Sequence, residues 1–371
     1  MTKKQRIIVL IILSIILIGI VAILIIKAPN RTEAQEVINQ EPDNKVTLTM
    51  VGDNLIHGAV YRTAKTERGY DFNRIFANVK SEIENSDLAI INQETILVDE
   101  AHEVGSYPRF GTPEAMGHAI VNAGFDVVAH ATNHTNDKGI EGIEDTLDFW
   151  KTNYPDIKIL GIHEDKEESD IVYVEKKNIK IAFVNYTYGL NGLDLPKDKK
   201  YMVDLLGDKE EIAETLKEAK ANSDILIPIL HIGTEYVYEP STYHKNYVDF
   251  FIDNGADIVL CAHPHVLEPY GMVTTKNNNT ALVYYSLGNF VSAQDKMPRM
   301  LGGMAKIELV KENDEVKIQS YDMIPLVTHY ENDYFTTYKL EDYTDELARK
   351  HKLGLTVDKL KNLYNDIMSE E

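Results

Sequence analysis

Short runs of β-branched and aliphatic residues recur along the chain at Val46–Val51, Leu88–Asn92, Asp126–Ala129, Ile179–Tyr186, Asp224–Leu230, Asp257–Cys261, Leu282–Ser286, Met304–Val310 and Val316–Asp322. Most are apolar at consecutive rather than alternate positions, the pattern of strands buried on both faces. Between them, apolar residues return at helical spacing in Phe72–Asn85, Pro113–Ala123, Ile140–Thr152, Lys209–Asn222 and Thr242–Asn254. Thr112 and Pro113 read as the N-cap and first position of the second of these helices, Gly124 as its stop, and Gly255 closes the last. This alternation predicts a layered α/β fold with a largely parallel centre and antiparallel final strands. Two short amphipathic helices are expected in the tail Glu341–Met368, packed on their own domain through Leu360, Tyr364 and Ile367.

The first thirty residues follow another pattern. Residues 7–26 contain no charged side chain, and at about 1.5 Å rise per residue such a helix reaches roughly 30 Å, one hydrocarbon thickness. Lys3, Lys4 and Arg6 precede the run. The positive-inside rule then leaves residues 1–6 in the cytoplasm and the rest of the chain outside, held by one transmembrane helix at the cell membrane. The run is longer than the apolar part of a signal peptide and lacks a small-x-small cleavage pattern, so a retained anchor is expected. Residues 27–45, polar and carrying two prolines, read as a tether.

Composition narrows the function. The chain has 59 acidic against 38 basic residues in 371, a formal charge of −21. Nucleic-acid binders need clustered Lys and Arg to displace counterions, so this class is excluded. Cys261 is the single cysteine, which removes intrachain disulfides and cysteine-rich zinc sites and leaves any metal to His, Asp, Glu or Asn. The phosphate loop Gly-x-x-x-x-Gly-Lys-Ser/Thr is absent from the sequence, so ATP-dependent ligation would fall to another subunit.

Five of the predicted strands run into polar clusters at their C-terminal ends, where open α/β sheets place ligands. The clusters are Gly52 to His57, Asn92 to Thr95, His130 to Asp137, His231 to Glu235 and Ala262 to His265, and they hold six of the twelve histidines. In an extended chain His263 and His265 would share a face and point at one centre. Imidazole suits Zn, Mn, Fe or Ni, and carboxylate or Asn oxygens widen the choice toward Mn and Fe. A two-metal centre also needs a carboxylate bridging ions roughly 3.5–4 Å apart, for which Asp53 and Glu94 are candidates. Glu235, four residues after His231, reads as a partner for a ligand imidazole or a substrate amine. The stretch Tyr285–Phe290, with Gly288-Asn289, reads as a sharp turn facing the site.

The order Asp, carboxylate, Asn-His, His, His-x-His resembles the calcineurin-like metallophosphoesterase superfamily. More narrowly, GDNLIHG, NQET, ATNHTNDKGIEGIEDTLDFW, HIGTEY, DNGADIVLCAHPHVLEPYG and YSLGNFV look like the bacterial CapA family of poly-γ-glutamate capsule biosynthesis proteins, also called PgsA. The resemblance covers roughly residues 47–291. It implies a four-layer α/β/β/α sandwich for the domain expected over residues 46–330; the helical tail expected over 331–371 rests on its own helical spacing. It also implies Asp53 and His265 on one divalent metal ion, Glu94 bridging, and Asn133, His231 and His263 on a second, with Mn, Zn or Fe as the ions. His134 would donate a proton to a leaving group or steady a phosphoryl oxygen. Two positions depart from the superfamily pattern: Leu55 replaces the first-motif histidine, leaving His57 as the nearest imidazole, and Glu94 stands where Asp is usual. His57, Glu235 and Asn289 are further candidate metal or substrate contacts. The implied role is a membrane-anchored extracytoplasmic subunit working with other subunits of a poly-γ-glutamate synthase complex on an anionic polymer. The rival is an extracellular metal-dependent hydrolase of a phosphoester or a γ-glutamyl amide.

Overall fold

Two mixed sheets carry the chain from Asn44 onward. In chain order, β1 (Lys45–Asn54), β2 (Leu88–Asn92), β3 (Val127–Ala129) and β4 (Lys158–Leu160) enter the first. The second is built from β5 (Val172–Lys176), β6 (Ile179–Thr187), β7 (Ile225–His231), β8 (Ile258–Ala262), β9 (Leu267–Thr274) and β10 (Thr280–Leu287). The chain then returns to the first sheet as β11 (Asn289–Val291), β12 (Leu301–Glu312), β13 (Glu315–Glu331) and β14 (Tyr334–Lys339). Spatial order is β14-β13-β12-β1-β2-β3-β4, with β11 also pairing with β1, and β9-β10-β8-β7-β6-β5. Strands β1 to β4 are parallel and β12 to β14 antiparallel. In the second sheet β6, β7, β8 and β10 are parallel between antiparallel edges. This computed structural model describes Lys4 and residues 44–99, 104–332 and 334–369. The expected span, residues 7–26, and the tether up to residue 43 lie outside the described residues. Among the described residues no helix is long and apolar enough to cross a membrane.

The layering explains the unbroken apolar runs. Successive side chains of a strand point to opposite faces. In β1, Leu48 and Met50 join Leu88, Ile90, Ile181, Phe183 and Ile227 in a core shared by both sheets. Val51 instead joins Ala89, Ile91 and Val128 against α1 (Ala115–Ala123) and α2 (Gly139–Asn153) through Met116, Ile120, Phe149 and Trp150. On the far side, Ala182, Val184 and Leu226 meet α3 (Lys209–Ala221) and α4 (Thr242–Asp253) through Ile212, Leu216, Val248 and Phe251. Helices therefore cover the outer faces and the layers run α/β/β/α. Asp208 caps α3 and Ser241 caps α4 through side-chain oxygens.

Several elements differ from the sequence reading. The helix expected over Phe72–Asn85 is two short helices, Asn73–Phe76 and Lys80–Glu84. Val79 leaves the helical region at φ −122°, and both Val79 and Ile83 are then fully buried. Core packing here outweighs helical continuity. Thr112 and Pro113 do not open α1: they pair with Leu97 and Val98, and the Thr112 hydroxyl bonds the Thr95 hydroxyl at 2.7 Å. Gly124 does end α1, at φ 103°. Strands β4, β5, β9, β11 and β14 lack the apolar runs that mark the others. Strands β4 and β11 have only three residues, β5 and β9 are partly exposed edges, and β14 pairs only with β13. The tail is thus not wholly helical: β14 closes the first sheet, and α5 (Val357–Met368) packs Leu360 and Ile367 into the shared core.

Candidate metal centre

Five of the parallel strands, β1, β2, β3, β7 and β8, deliver polar side chains to one edge. Asp53 is the next-to-last residue of β1, Glu94 follows β2, Asn133 and His134 follow β3, His231 ends β7, and His263 and His265 follow β8. All seven are buried. The ligand atoms of Asp53, Glu94 and His265 lie within 4.8 Å of one another, as do those of Glu94, His231 and His263. Glu94 belongs to both groups. His265 Nδ1 stands 3.0 Å from Asp53 Oδ2, and His265 Nε2 is 3.7 Å from Glu94 Oε1. His231 Nε2 is 2.9 Å from Asn133 Oδ1 and 3.8 Å from Glu94 Oε1. The six residues expected as ligands therefore converge, with Asn133 joined through His231.

Two details of backbone make this possible. A Cβ on Gly52 would stand 2.0 Å from the Gly288 carbonyl oxygen, so only glycine lets β11 lie against β1 and pair Asn289 with Asp53. His263 and His265 do not share a face of an extended strand. Both adopt positive φ, 107° and 59°, a conformation costing non-glycine residues on the order of 1–3 kcal/mol each. The turn, rather than strand periodicity, aims both rings at the centre.

The electrostatics suit a cation. Both oxygens of Glu94 are buried without a hydrogen-bond partner, as is Nδ1 of His263, whereas buried polar groups are ordinarily paired. Burial pushes the Glu94 carboxyl well above its ordinary range. Burial also holds His231 and His263 well below the usual histidine value, each reinforced by neighbouring imidazoles, so both are neutral, the form that ligates metal. Burial would lower His265 as well, but the Glu94 and Asp53 carboxylates reverse this and raise it to about 9.

The remaining candidates divide. Glu235 is exposed and its carboxylate groups with His263 and His265, placing it at the mouth. Asn289 Oδ1 lies 3.1 Å from His265 Nδ1, so Asn289 steadies a ligand ring. His57 joins none of the ligand groups found among the described residues. Its Nδ1 faces the Leu55 carbonyl and the Ala293 amide, and Leu55 itself is buried. His130, also in a strand-end cluster, accepts from Trp150 Nε1 at 2.9 Å inside the fold. Three contributors went unassigned in the sequence reading. Asn92 donates to Asp53 Oδ1 at 2.8 Å. Asp137 Oδ2 accepts from His134 Nδ1 at 2.7 Å and from the Phe110 amide at 2.7 Å. The Tyr188 ring stands 4.6 Å from that of His263. Asn92 and Asp137 lie within the strand-end clusters, so their placement was the available signal; Tyr188 carried none.

The profile of the bacterial capsule synthesis protein PGA_cap matches residues 47–294, a segment that contains every candidate ligand above. The chain belongs to this family. Among its relatives is the capsule biosynthesis protein CapA of Bacillus anthracis, 28% identical over 289 residues, which cover 75% of this chain and 68% of that protein. The PGA biosynthesis protein CapA of Bacillus subtilis (strain 168) is 29% identical over 255 residues, 68% of this chain and 64% of that protein. The chain thus spans about two thirds of the length of these relatives. Among solved structures, the calcineurin-like phosphoesterase YfkN from Bacillus subtilis aligns with a TM-score of 0.47 at 12% identity, over 76% of this chain and 90% of that one. A hypothetical protein from Thermus thermophilus aligns with a TM-score of 0.45 at 13% identity, over 75% and 98%. Similarity at this level says nothing about chemistry.

Proposed function

We propose that this chain is the membrane-anchored, extracytoplasmic subunit of a poly-γ-glutamate capsule synthesis or export complex, and that its strand-end centre holds one or two divalent cations. The observation that carries the reading is the family match over the segment that holds the whole centre. The uncharged run at residues 7–26 supports the anchor. The unpartnered carboxylate of Glu94 supports the cation. Asp53, Glu94 and His265 would hold one ion, and Glu94, Asn133, His231 and His263 a second. Bound there, a divalent cation supplies Lewis acidity and a more acidic water. A cation would also reduce the repulsion between an anionic polymer and a chain of formal charge −21.

A second reading, a hydrolase of a phosphoester or γ-glutamyl amide, is favoured by one contact. Asp137 fixes the His134 ring through Nδ1, leaving Nε2 as the atom from which a proton passes to a leaving oxygen or nitrogen. Phe110 packs edge-on against that ring at 4.7 Å and limits its rotation. Asn92 holds Asp53 in the same fashion.

Deletion of the gene, with ligase and membrane partners intact, should stop accumulation of surface polymer. The full chain should restore it and the span alone should not. A His134→Ala chain then divides the readings: a hydrolase loses on the order of 10²–10⁴-fold in activity, whereas a scaffold still supports polymer. Normal surface polymer in the deletion strain overturns the capsule role.

A further inference from the structure

Away from the strand-end centre, three segments bring an imidazole and two carboxylates together. His163 follows β4, Asp170 precedes β5, and Asp204 lies in the connection from β6 to α3. Backbone bonds from His163 N to Met202 O and from Asp204 N to Gly161 O, both 3.1 Å, hold two of these segments in register. His163 Nε2 stands 2.8 Å from Asp204 Oδ1 and 3.8 Å from Asp170 Oδ1, and the three residues offer ligand atoms within 4.8 Å of one another. Two atoms bound to one ion at about 2.1 Å are separated by about 3.0–3.4 Å at octahedral or tetrahedral angles. The observed spacings bracket that range.

The cluster lines a cavity of about 530 Å³, around which acidic side chains outnumber lysines seven to three. Asp204 is only 8% exposed, and its Oδ2 is buried with no hydrogen-bond partner. His163, itself 6% exposed, satisfies Oδ1 alone. A buried carboxylate oxygen left in this state costs free energy that a cation would offset.

We propose that His163, Asp170 and Asp204 form a second divalent-cation site, separate from the strand-end centre, for an ion of the Zn²⁺ or Mn²⁺ type. One imidazole nitrogen with two carboxylate oxygens is a donor set these ions accept. On binding an ion, His163 Nε2 would release to solvent the proton it shares with Asp204 and supply its lone pair, while Nδ1–H faces Glu168, whose Oε2 lies 3.9 Å away as an outer partner. An ion here ties the β6–α3 connection to the segment between β4 and β5. The same connection touches the strand-end centre, where Asn191 Oδ1 accepts from Asn133 at 3.3 Å and the Leu193 carbonyl accepts from Asn136.

The test uses the full chain carrying His263→Ala and His265→Ala, which disables the strand-end centre. After stripping with chelator and dialysis against Zn²⁺ or Mn²⁺ alone, one equivalent should remain bound and should raise the melting temperature. Adding Asp170→Asn should weaken binding at least tenfold, and adding His163→Ala should abolish it. Where circular dichroism shows the His163→Ala chain unfolded, Asp170→Asn, at a half-buried position, decides. Where the double background itself is unfolded, the same substitutions in the native chain must lower bound metal by one equivalent. No retained metal, or retention indifferent to Asp170→Asn, overturns the proposal and leaves the strand-end reading standing.

Discussion

Replacing Glu94 by Gln distinguishes a metal ligand from a structural glutamate by where its effect appears. In the metal-free protein both Glu94 oxygens are buried without partners, and burial drives the carboxyl toward its neutral form. Gln has the shape of that neutral form. His265 keeps Asp53 at 3.0 Å, so no ring is stranded. Stability of the stripped protein should therefore change by no more than about 1 kcal/mol, the scale of one net hydrogen bond. With metal the two proteins should part. At a concentration 100 times the dissociation constant, a bound ion adds about 2.7 kcal/mol. At about 2 °C per kcal/mol for a large domain, this is a rise on the order of 5 °C. Glu94 stands in both ligand groups, and its loss should weaken binding at least the roughly 100-fold seen for outer partners of ligands. At the same metal concentration the gain then falls to about 0.4 kcal/mol, under about 1 °C. Scanning calorimetry of both chains, stripped and then supplied with Mn²⁺ or Zn²⁺, measures the difference; His163→Ala in both restricts it to this centre. An equal metal-induced rise in the two proteins, or an equal loss of stability with and without metal, would refute the assignment.

Three further outcomes are expected. Protease treatment of intact, wall-stripped cells should remove the body of the chain; a body digested only after lysis would contradict the anchored, outward topology. Asp87 accepts from the Thr47 amide and hydroxyl and pairs with Lys177 Nζ at 2.8 Å. Burial opposes ionisation there, but Lys177 and Thr47 hold the carboxyl below its usual 3.8. The contribution is therefore complete above that value and disappears as pH falls through the lowered one. Asp87→Asn should cost about 1.5–3 kcal/mol at neutral pH, and urea melts should show the gap closing in acid; a gap independent of pH would count against the ion pair. Gly52→Ala, whose methyl would meet the Gly288 carbonyl, should destabilise by about 3 kcal/mol and lower metal retention by displacing Asn289 and Asp53; near-native melting and metal content would show that β11 yields freely.

Much of the architecture is legible locally. Runs such as Ile225–Leu230 and Ile258–Cys261 are apolar at every position because each strand is covered on both sides. That burial is recorded in consecutive residues, as are the caps and stops at Asp208, Ser241 and Gly124. The strand-end clusters were equally visible, since a parallel sheet presents its C-terminal ends on one edge whatever the details of packing. Edge strands such as β5 and β14 were not, because a half-exposed strand needs no apolar run and is defined only by its neighbour. Side-chain direction was also beyond local reading. The His263 and His265 rings converge through positive φ at both residues, which the surrounding packing imposes against their intrinsic preference. His57 and His130 belong to strand-end clusters yet turn to backbone groups and to Trp150. Asp137 and Asn289 acquire their roles through bonds to His134 and His265. His163, Asp170 and Asp204 share no motif and meet because the β6–α3 connection pairs with the segment that follows β4. Local sequence determines which faces must be buried; only long-range packing determines which polar atoms, once buried, are left facing one another.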